Sequence, residues 1–328
     1  MNLDELQVQL GKETVWGTGV AGSVKAMGVI SAEQTPQIPA KEYPDLRGTL
    51  DPGYFAAVQS VGGGMTIEQV ALYEDICYPL EGLFGEDATP TGTGPYVRDY
   101  AGVNTAAARM MTAYYGKAGY AYRLLGGLVN AMTLRGEASE NDTELNVSYE
   151  MLGKEVEEDA TLASLSDRTV NPIMASHGAV YIDAWAGTIG TTLLETTAFT
   201  FELGLNRNRI LKRYLGSLTA GDHEAKRAEA DGNTLKLSME VKAASKAFLD
   251  AVLNSGAGGV FQRQVRLKFT SGANIAQFDF AGFAKEAPRI YDNRDGIVSI
   301  EMTLHALYNS ALANWFKAQI TNGVSTLP

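Results

Sequence analysis

The sequence predicts a mainly β (β + α) fold: two tandem, mostly β units, each with a flanking α-helix. Three observations carry that expectation. First, two stretches about 170 residues apart repeat one design of glycine turn, short strand and compact amphipathic helix. One reads Gly62-Gly-Gly, a strand Met65–Val70 and a helix Ala71–Phe84; the other reads Asp231-Gly-Asn, a strand Thr234–Val241 and a helix Lys242–Leu253. Second, Gly127 and Gly282 each sit in a strand that leads through a polar turn to an alternating closing strand, Thr143–Leu152 and Ile297–Leu307. Third, the 35 glycines cluster at turns, as in a strand-rich chain.

Read in order, residues 1–23 form an extended N-terminal arm with two turn points, and Val24–Ser31 is the first strand. Residues 32–53 carry Pro36, Pro39, Pro44 and Pro52, which rules out a central strand. Tyr54–Ser60 resumes the sheet. The first helix has Leu72, Ile76, Leu80, Leu83 and Phe84 at helical spacing, with a kink or restart expected at Pro79. Asn104–Tyr115 reads as a short helix, and Gly119–Arg135 as a strand bulged at Gly126-Gly127. The first domain then covers 24–160, with 86–118 as an insertion, and 161–190 is a linker. The second domain, 191–328, has strand Leu193–Leu205, a long charged connection Asn206–Gly232, and strands Phe261–Ser271, Ile275–Lys285 and Gly296–Leu307. A terminal helix is expected at Asn309–Thr321, with Leu312, Trp315 and Phe316 on its apolar side.

Composition narrows the function. The 328 residues can bury two cores, and 45% hydrophobic with 20% charged residues fits a globular chain. Residues 1–165 carry 10 Lys/Arg against 23 Asp/Glu, whereas residues 166–328 carry 17 against 15. No basic cluster is present that could grip nucleic acid by counterion release. The acidic half reads as solubility, or as one partner in an attraction between alternating acidic and near-neutral units. The N-terminus shows no basic segment followed by an apolar run, and no apolar run approaches the roughly 20 residues of a spanning helix, so a soluble chain without a secretory signal is expected.

No catalytic constellation emerges, and no cofactor or metal is expected. His177, His223 and His305 stand apart without ligand spacing. The lone cysteine, Cys77, falls on the apolar face of the first helix and reads as a packing thiol. The glycine triplet at 62–64 precedes a strand, whereas phosphate loops precede helices. The chain is therefore read as no enzyme.

Several segments together resemble the tail tube proteins (major tail proteins) of long-tailed bacteriophages. These are Gly11-Lys-Glu-Thr-Val-Trp-Gly-Thr, Glu42-Tyr-Pro-Asp-Leu-Arg-Gly-Thr, Gly64-Met-Thr-Ile-Glu, Tyr73-Glu-Asp, Tyr214-Leu-Gly-Ser-Leu, Gly221-Asp-His-Glu-Ala-Lys-Arg and Asp231-Gly-Asn-Thr-Leu-Lys-Leu-Ser-Met-Glu-Val. The resemblance implies a helix-flanked β-sandwich of tube type, assembled into rings that stack as a hollow, β-lined conduit for the genome. It also implies a place in the virion tail after synthesis in the host cytoplasm. Its partners would be further copies of itself, a tape-measure protein, and tail terminator and distal tail proteins, while DNA passes without specific binding. Rings of this family are commonly hexameric; two whole tube units per chain would close with three copies, and one appended unit with six. Another self-assembling phage protein (capsid or decoration), or a ligand-binding β protein, is the alternative.

Open sheet edges suit such an assembly, because neighbours in a ring can close them. The contacts between rings are expected in the two long connections: Glu42, Asp45 and Arg47 in the first, and Arg207, Arg209, Lys212, Arg213, Lys226 and Arg227 in the second. Reversing Arg207, Arg209 and Arg213 to Glu is expected to leave folded protomers that grow fewer tubes.

Overall fold

A computed structural model describes residues 5–43, 55–87, 90–103, 107–138, 143–159, 161–194, 198–226, 228–240, 261–286, 289–294 and 297–328. The first half supplies β1 (Gln7–Lys12), β2 (Val24–Lys25), β3 (Val29–Gln37), β4 (Ala40–Tyr43), β5 (Phe55–Val58) and β6 (Gly62–Val70), then helix α1 (Cys77–Phe84). It continues with β7 (Tyr96–Ala101), β8 (Met111–Lys117), β9 (Tyr120–Glu137), β10 (Asn146–Gly153) and β11 (Glu155–Glu158). The second half supplies β12 (Gly178–Ala184), β13 (Ala198–Asn206), β14 (Arg209–Lys212), β15 (Asp222–Ala225) and β16 (Thr234–Glu240). It ends with β17 (Gln262–Ser271), β18 (Asn274–Ala284), β19 (Arg289–Arg294), β20 (Ile297–Ala306) and β21 (Phe316–Asn322). The protein is thus mainly β, with one α-helix among the described residues.

Eight strands form one antiparallel sheet in the order β3-β6-β10-β9-β13-β16-β20-β19. Two further sets flank it: β2-β1-β8-β9-β11 and β12-β17-β18-β21-β7. Strand β9 passes from a flanking set into the long sheet, and the end of β18, Gly282–Ala284, likewise pairs with β20 of the long sheet. In β9 the corner is the expected bulge: the register slips between Met111 and Ala113 opposite it, and Gly126 takes φ +63°.

The long sheet has one apolar and one polar face, as strand alternation requires. Met65 and Ile67, Val147, Tyr149 and Met151, Leu203 and Leu205, Leu235, Leu237 and Met239, and Ile300, Met302 and Leu304 are all buried in one core. That core also holds α1, whose eight residues are all buried. The helix begins at Cys77 with Pro79 in its first turn, where a missing N–H breaks no helical bond. It is therefore shorter than the expected Ala71–Phe84 and buried all round, Glu81 included.

Several expectations change. Over the described part of the helix expected at Asn104–Tyr115, residues 107–115, no helix forms: Met111–Lys117 is a strand held between β1 and β9. The terminal helix is also absent. Asn309 accepts from the N–H groups of Ala311 and Leu312 and Asn314 accepts from that of Phe316, local turns that compete with a helix; Phe316, Ala318 and Ile320 then alternate into the core as β21. Within the extended N-terminal stretch, β1 pairs along its whole length with β8. Part of the charged connection after β13 is the hairpin β14–β15, and part of the 161–190 stretch is β12, paired along β17 with Val180 and Ile182 against the core. Pro36 does lie in a strand, but on β3 at the sheet margin, where proline is tolerated. The second helix, expected at 242–253, lies outside the described residues.

Candidate assembly surfaces

Three surfaces have the character of assembly sites. The first is the pair of sheet margins. Among the described residues β3 pairs with β6 on one side alone, and β19 with β20 on one side alone. The backbone groups on the far side of each strand are the natural acceptors of a neighbouring strand.

The second surface is the polar face of the long sheet. On β3, β6, β10, β9, β13, β16 and β20, Glu33, Glu68, Glu137, Glu150, Glu202, Glu240 and Glu301 alternate with the core residues, against Arg135 and Lys236 as the Lys/Arg of those seven strands where they run in the long sheet. Glu202 is clamped between the two bases, 2.9 Å from Arg135 Nε and 2.7 Å from Lys236 Nζ. The hydrogen bond from Lys236 leads the causes that hold this carboxyl below its ordinary range. Around it, Asn146, Ser238 and Glu301 line an open trough. An acid-rich face repels phosphate.

The third surface is the tip of the β14–β15 hairpin. Leu215 is fully exposed at 106%, and Tyr214 and Leu218 are exposed beside it. The tip is braced at its base, where Gly221 N–H donates to Lys212 O at 2.9 Å and Val61 N–H to Leu218 O at 2.8 Å. An exposed apolar tip on a braced hairpin is the form of a contact loop.

The residues singled out in sequence divide among these places. Lys212 is paired with Glu224 at 2.7 Å, Lys226 is exposed, and Arg213 reaches Val61 O at 3.5 Å, all on or beside the hairpin. Glu42 is exposed on β4. Asp45, Arg47 and Arg227 lie outside the described residues. Arg209 has a different setting from the one expected. It is buried, donates from Nε to Val129 O at 2.9 Å and from Nη2 to Gly82 O at 2.7 Å and Leu83 O at 3.1 Å, and so holds the last turn of α1. Burial, with Arg207 adding repulsion, pushes it down to about 10, still a cation at neutral pH. Arg207 is half-buried, donating to Gly102 O at 2.7 Å and lying over the Phe84 ring. The three apolar tip residues, Tyr214, Leu215 and Leu218, were marked only within the family-like segment Tyr214-Leu-Gly-Ser-Leu and not as a contact, although they stand out in a charged loop. The glutamates of the sheet face had a signal too, in the period of two along β6, β10 and β16.

The described side chains assemble no chemistry of catalysis. No group of three or more metal-ligating side chains occurs among them. His177 meets Tyr73 Oη at 3.3 Å, His305 lies 3.2 Å from Asp231, and His223 packs edge-on to Trp16. Burial pushes the Cys77 thiol up to about 12, which leaves it protonated and inert. No described helix is long and apolar enough to cross a membrane.

Long antiparallel sheets with an acid-rich face, margins unpaired among the described residues and a projecting loop have the character of a structural protein. The chain belongs to the phage tail tube protein family, whose model matches residues 4–319. It is accordingly a structural phage protein of the virion tail. No curated protein matches the chain.

Proposed function

We propose that this protein polymerises as stacked rings into the hollow tail tube that conducts the genome during ejection. The observation that carries the reading is the eight-stranded sheet, covered on its apolar face, acidic on the other and unpaired at both margins among the described residues. Three copies would bring 24 strands side by side; at roughly 4.8 Å per strand the wall is about 115 Å around and about 37 Å across, widened by tilt, and admits duplex DNA. Glutamates facing the lumen would let phosphates slide past.

The tandem-domain reading is supported by the pairing pattern. In the first half β1-β8-β9-β11 and β3-β6-β10-β9 share β9; in the second, β12-β17-β18-β21 and β13-β16-β20-β18 share β18. Corresponding strands occur in the same chain order. Two whole units per chain favour three copies per ring over six. Between rings, the β14–β15 tip and the β4–β5 hairpin with Glu42 are the proposed contacts, and Lys212, Arg213 and Lys226 supply charge beside the apolar tip. The tape-measure, terminator and distal tail proteins are the proposed partners at the lumen and the ends. No enzymatic step is assigned.

Negative-stain microscopy of concentrated protein tests this: hollow tubes or stacked rings are expected. Spherical shells would instead favour a capsid role, and protein that stays monomeric at every concentration would end the reading. The mass of a released ring decides between three copies and six.

A further inference from the structure

Resting on that ring reading, we propose that β19 of one copy pairs antiparallel with β3 of the next, Arg289 opposite Thr35 and Arg294 opposite Ser31, and that this joint closes three copies. The template is inside the chain. Strand β9 uses one side for β10 and the other for β13, with Thr133 opposite Gly204 and Glu137 opposite Thr200. This is the seam where the first half meets the second.

The two halves align residue by residue. The buried positions Met65, Ile67 and Gln69 of β6 match Leu235, Leu237 and Met239 of β16. Likewise, Val147, Tyr149 and Met151 of β10 match Ile300, Met302 and Leu304 of β20. On that alignment β3 and β13 carry the same irregularity at the same point: the register slips between Val29 and Ser31 opposite β6, and between Ala198 and Thr200 opposite β16. A bulge is a specific local structure, so its recurrence fixes the alignment to one residue. Ser31–Thr35 therefore occupy the place of Thr200–Gly204.

The other partner follows in the same way. Thr133 lies opposite Ser148 on β10, and Arg289 lies opposite Glu301, the matching position on β20. Strand β19 thus holds the place of the last five residues of β9, with one extra residue between Ile290 and Asp292. What β13 gives β9 within the chain, β3 of a neighbour gives β19. Pro36 has no N–H to donate, so it ends the paired run beyond Thr35 and discourages slipped registers.

Paired cysteines test the joint. Opposed Cα atoms in antiparallel strands lie about 4.5–5.5 Å apart, within disulfide reach, and Cys77 is buried out of the way. Oxidised assemblies of the Thr35→Cys, Arg289→Cys double variant are expected to run as covalent dimers and trimers on non-reducing denaturing gels, with the trimer the largest species. The off-register variant Glu33→Cys, Arg289→Cys should cross-link less. Stronger cross-linking off register overturns the pairing, and a ladder continuing to six overturns three-fold closure, while ring formation itself stands. Should the double variant not assemble, hydrogen exchange on the native protein decides: residues 31–35 and 289–294 exchange more slowly in tubes than in dispersed chains, and equal exchange overturns the pairing. Native protein that makes no rings removes the ring reading itself.

Discussion

The Glu13 carboxylate accepts a hydrogen bond from the Gly126 N–H at 2.8 Å, tying the N-terminal turn to the corner where β9 changes sheets. The same carboxylate accepts from Gly17 N–H and Thr112 Oγ1, each at 2.7 Å, and Trp16 Nε1 returns a bond to Gly126 O at 2.9 Å. Glu13, Trp16 and Gly17 all lie in the opening segment that resembles the tail tube family, so that segment has a structural purpose. Glu13 is 2% exposed. Glu13→Ala orphans three donors and should cost roughly 3–5 kcal/mol. A shift of the denaturant midpoint checks this, and Glu13→Gln should recover part of the loss.

Arg209 makes the charge-reversal experiment divisible. Arg209→Glu would place a carboxylate against three backbone carbonyls in the core, so that change should prevent folding rather than reveal a surface. Arg209→Ala should lower stability by about 2–4 kcal/mol. Arg213→Glu should leave the unfolding midpoint within about 0.5 kcal/mol of native and reduce tube growth. Light scattering during assembly, beside circular dichroism of the protomer, separates the two residues.

The hairpin tip carries a sharper expectation. Leu215 has no packing to lose within the subunit, so Leu215→Asp should leave protomer stability unchanged within about 0.5 kcal/mol. If the tip docks on the adjacent ring, the same change removes stacking: single rings would persist where native protein makes tubes. Tubes of normal length from this variant would take Leu215 out of the interface.

Acid should loosen one turn before the rest. Asp183 is buried, which pushes its carboxyl up, but bonds from the Thr191 hydroxyl, the Gly190 N–H and the Thr192 N–H together hold it below the ordinary 3.8. A folded-state value below the unfolded one stabilises above the unfolded value, and that contribution disappears as pH falls through the folded one. Hydrogen exchange in residues 184–192 should therefore accelerate below pH 3.8 in native protein. Asp183→Asn should show faster exchange there already at neutral pH, with little further change in acid.

How much was legible depended on which forces decided each element. Strands β6, β10, β16 and β20 announced themselves because one face is buried and the other wet, so their period of two is written in residue type. The Gly126 corner was legible because the chain needs a positive φ there. Met111–Lys117 and Phe316–Asn322 were not, since their apolar residues fit a helix as well as a strand and long-range partners decided between them. Arg209 looked like the other cations of its loop. Nothing local distinguishes an arginine that reaches solvent from one that turns inward to carbonyls 127 residues away in the chain.

The sheet's polar face supplies the last test. If Glu68 and Glu150 line the lumen, each must leave passing phosphates unheld. Glu150 is exposed, and Glu68 is partly exposed beside Ser31 Oγ, so neither substitution disturbs the core. The double variant Glu68→Lys, Glu150→Lys replaces two repulsive charges per chain by two attractive ones, a net change of four charge units. Assembled tubes of it should retain short duplex DNA that native tubes release, and retention should fall steeply as salt rises, since counterion release drives such binding. A co-sedimentation assay with labelled duplex reads this directly. Retention confined to tubes, and absent from dispersed protomers, identifies the conduit; equal binding by both forms would place these glutamates on an outer surface instead.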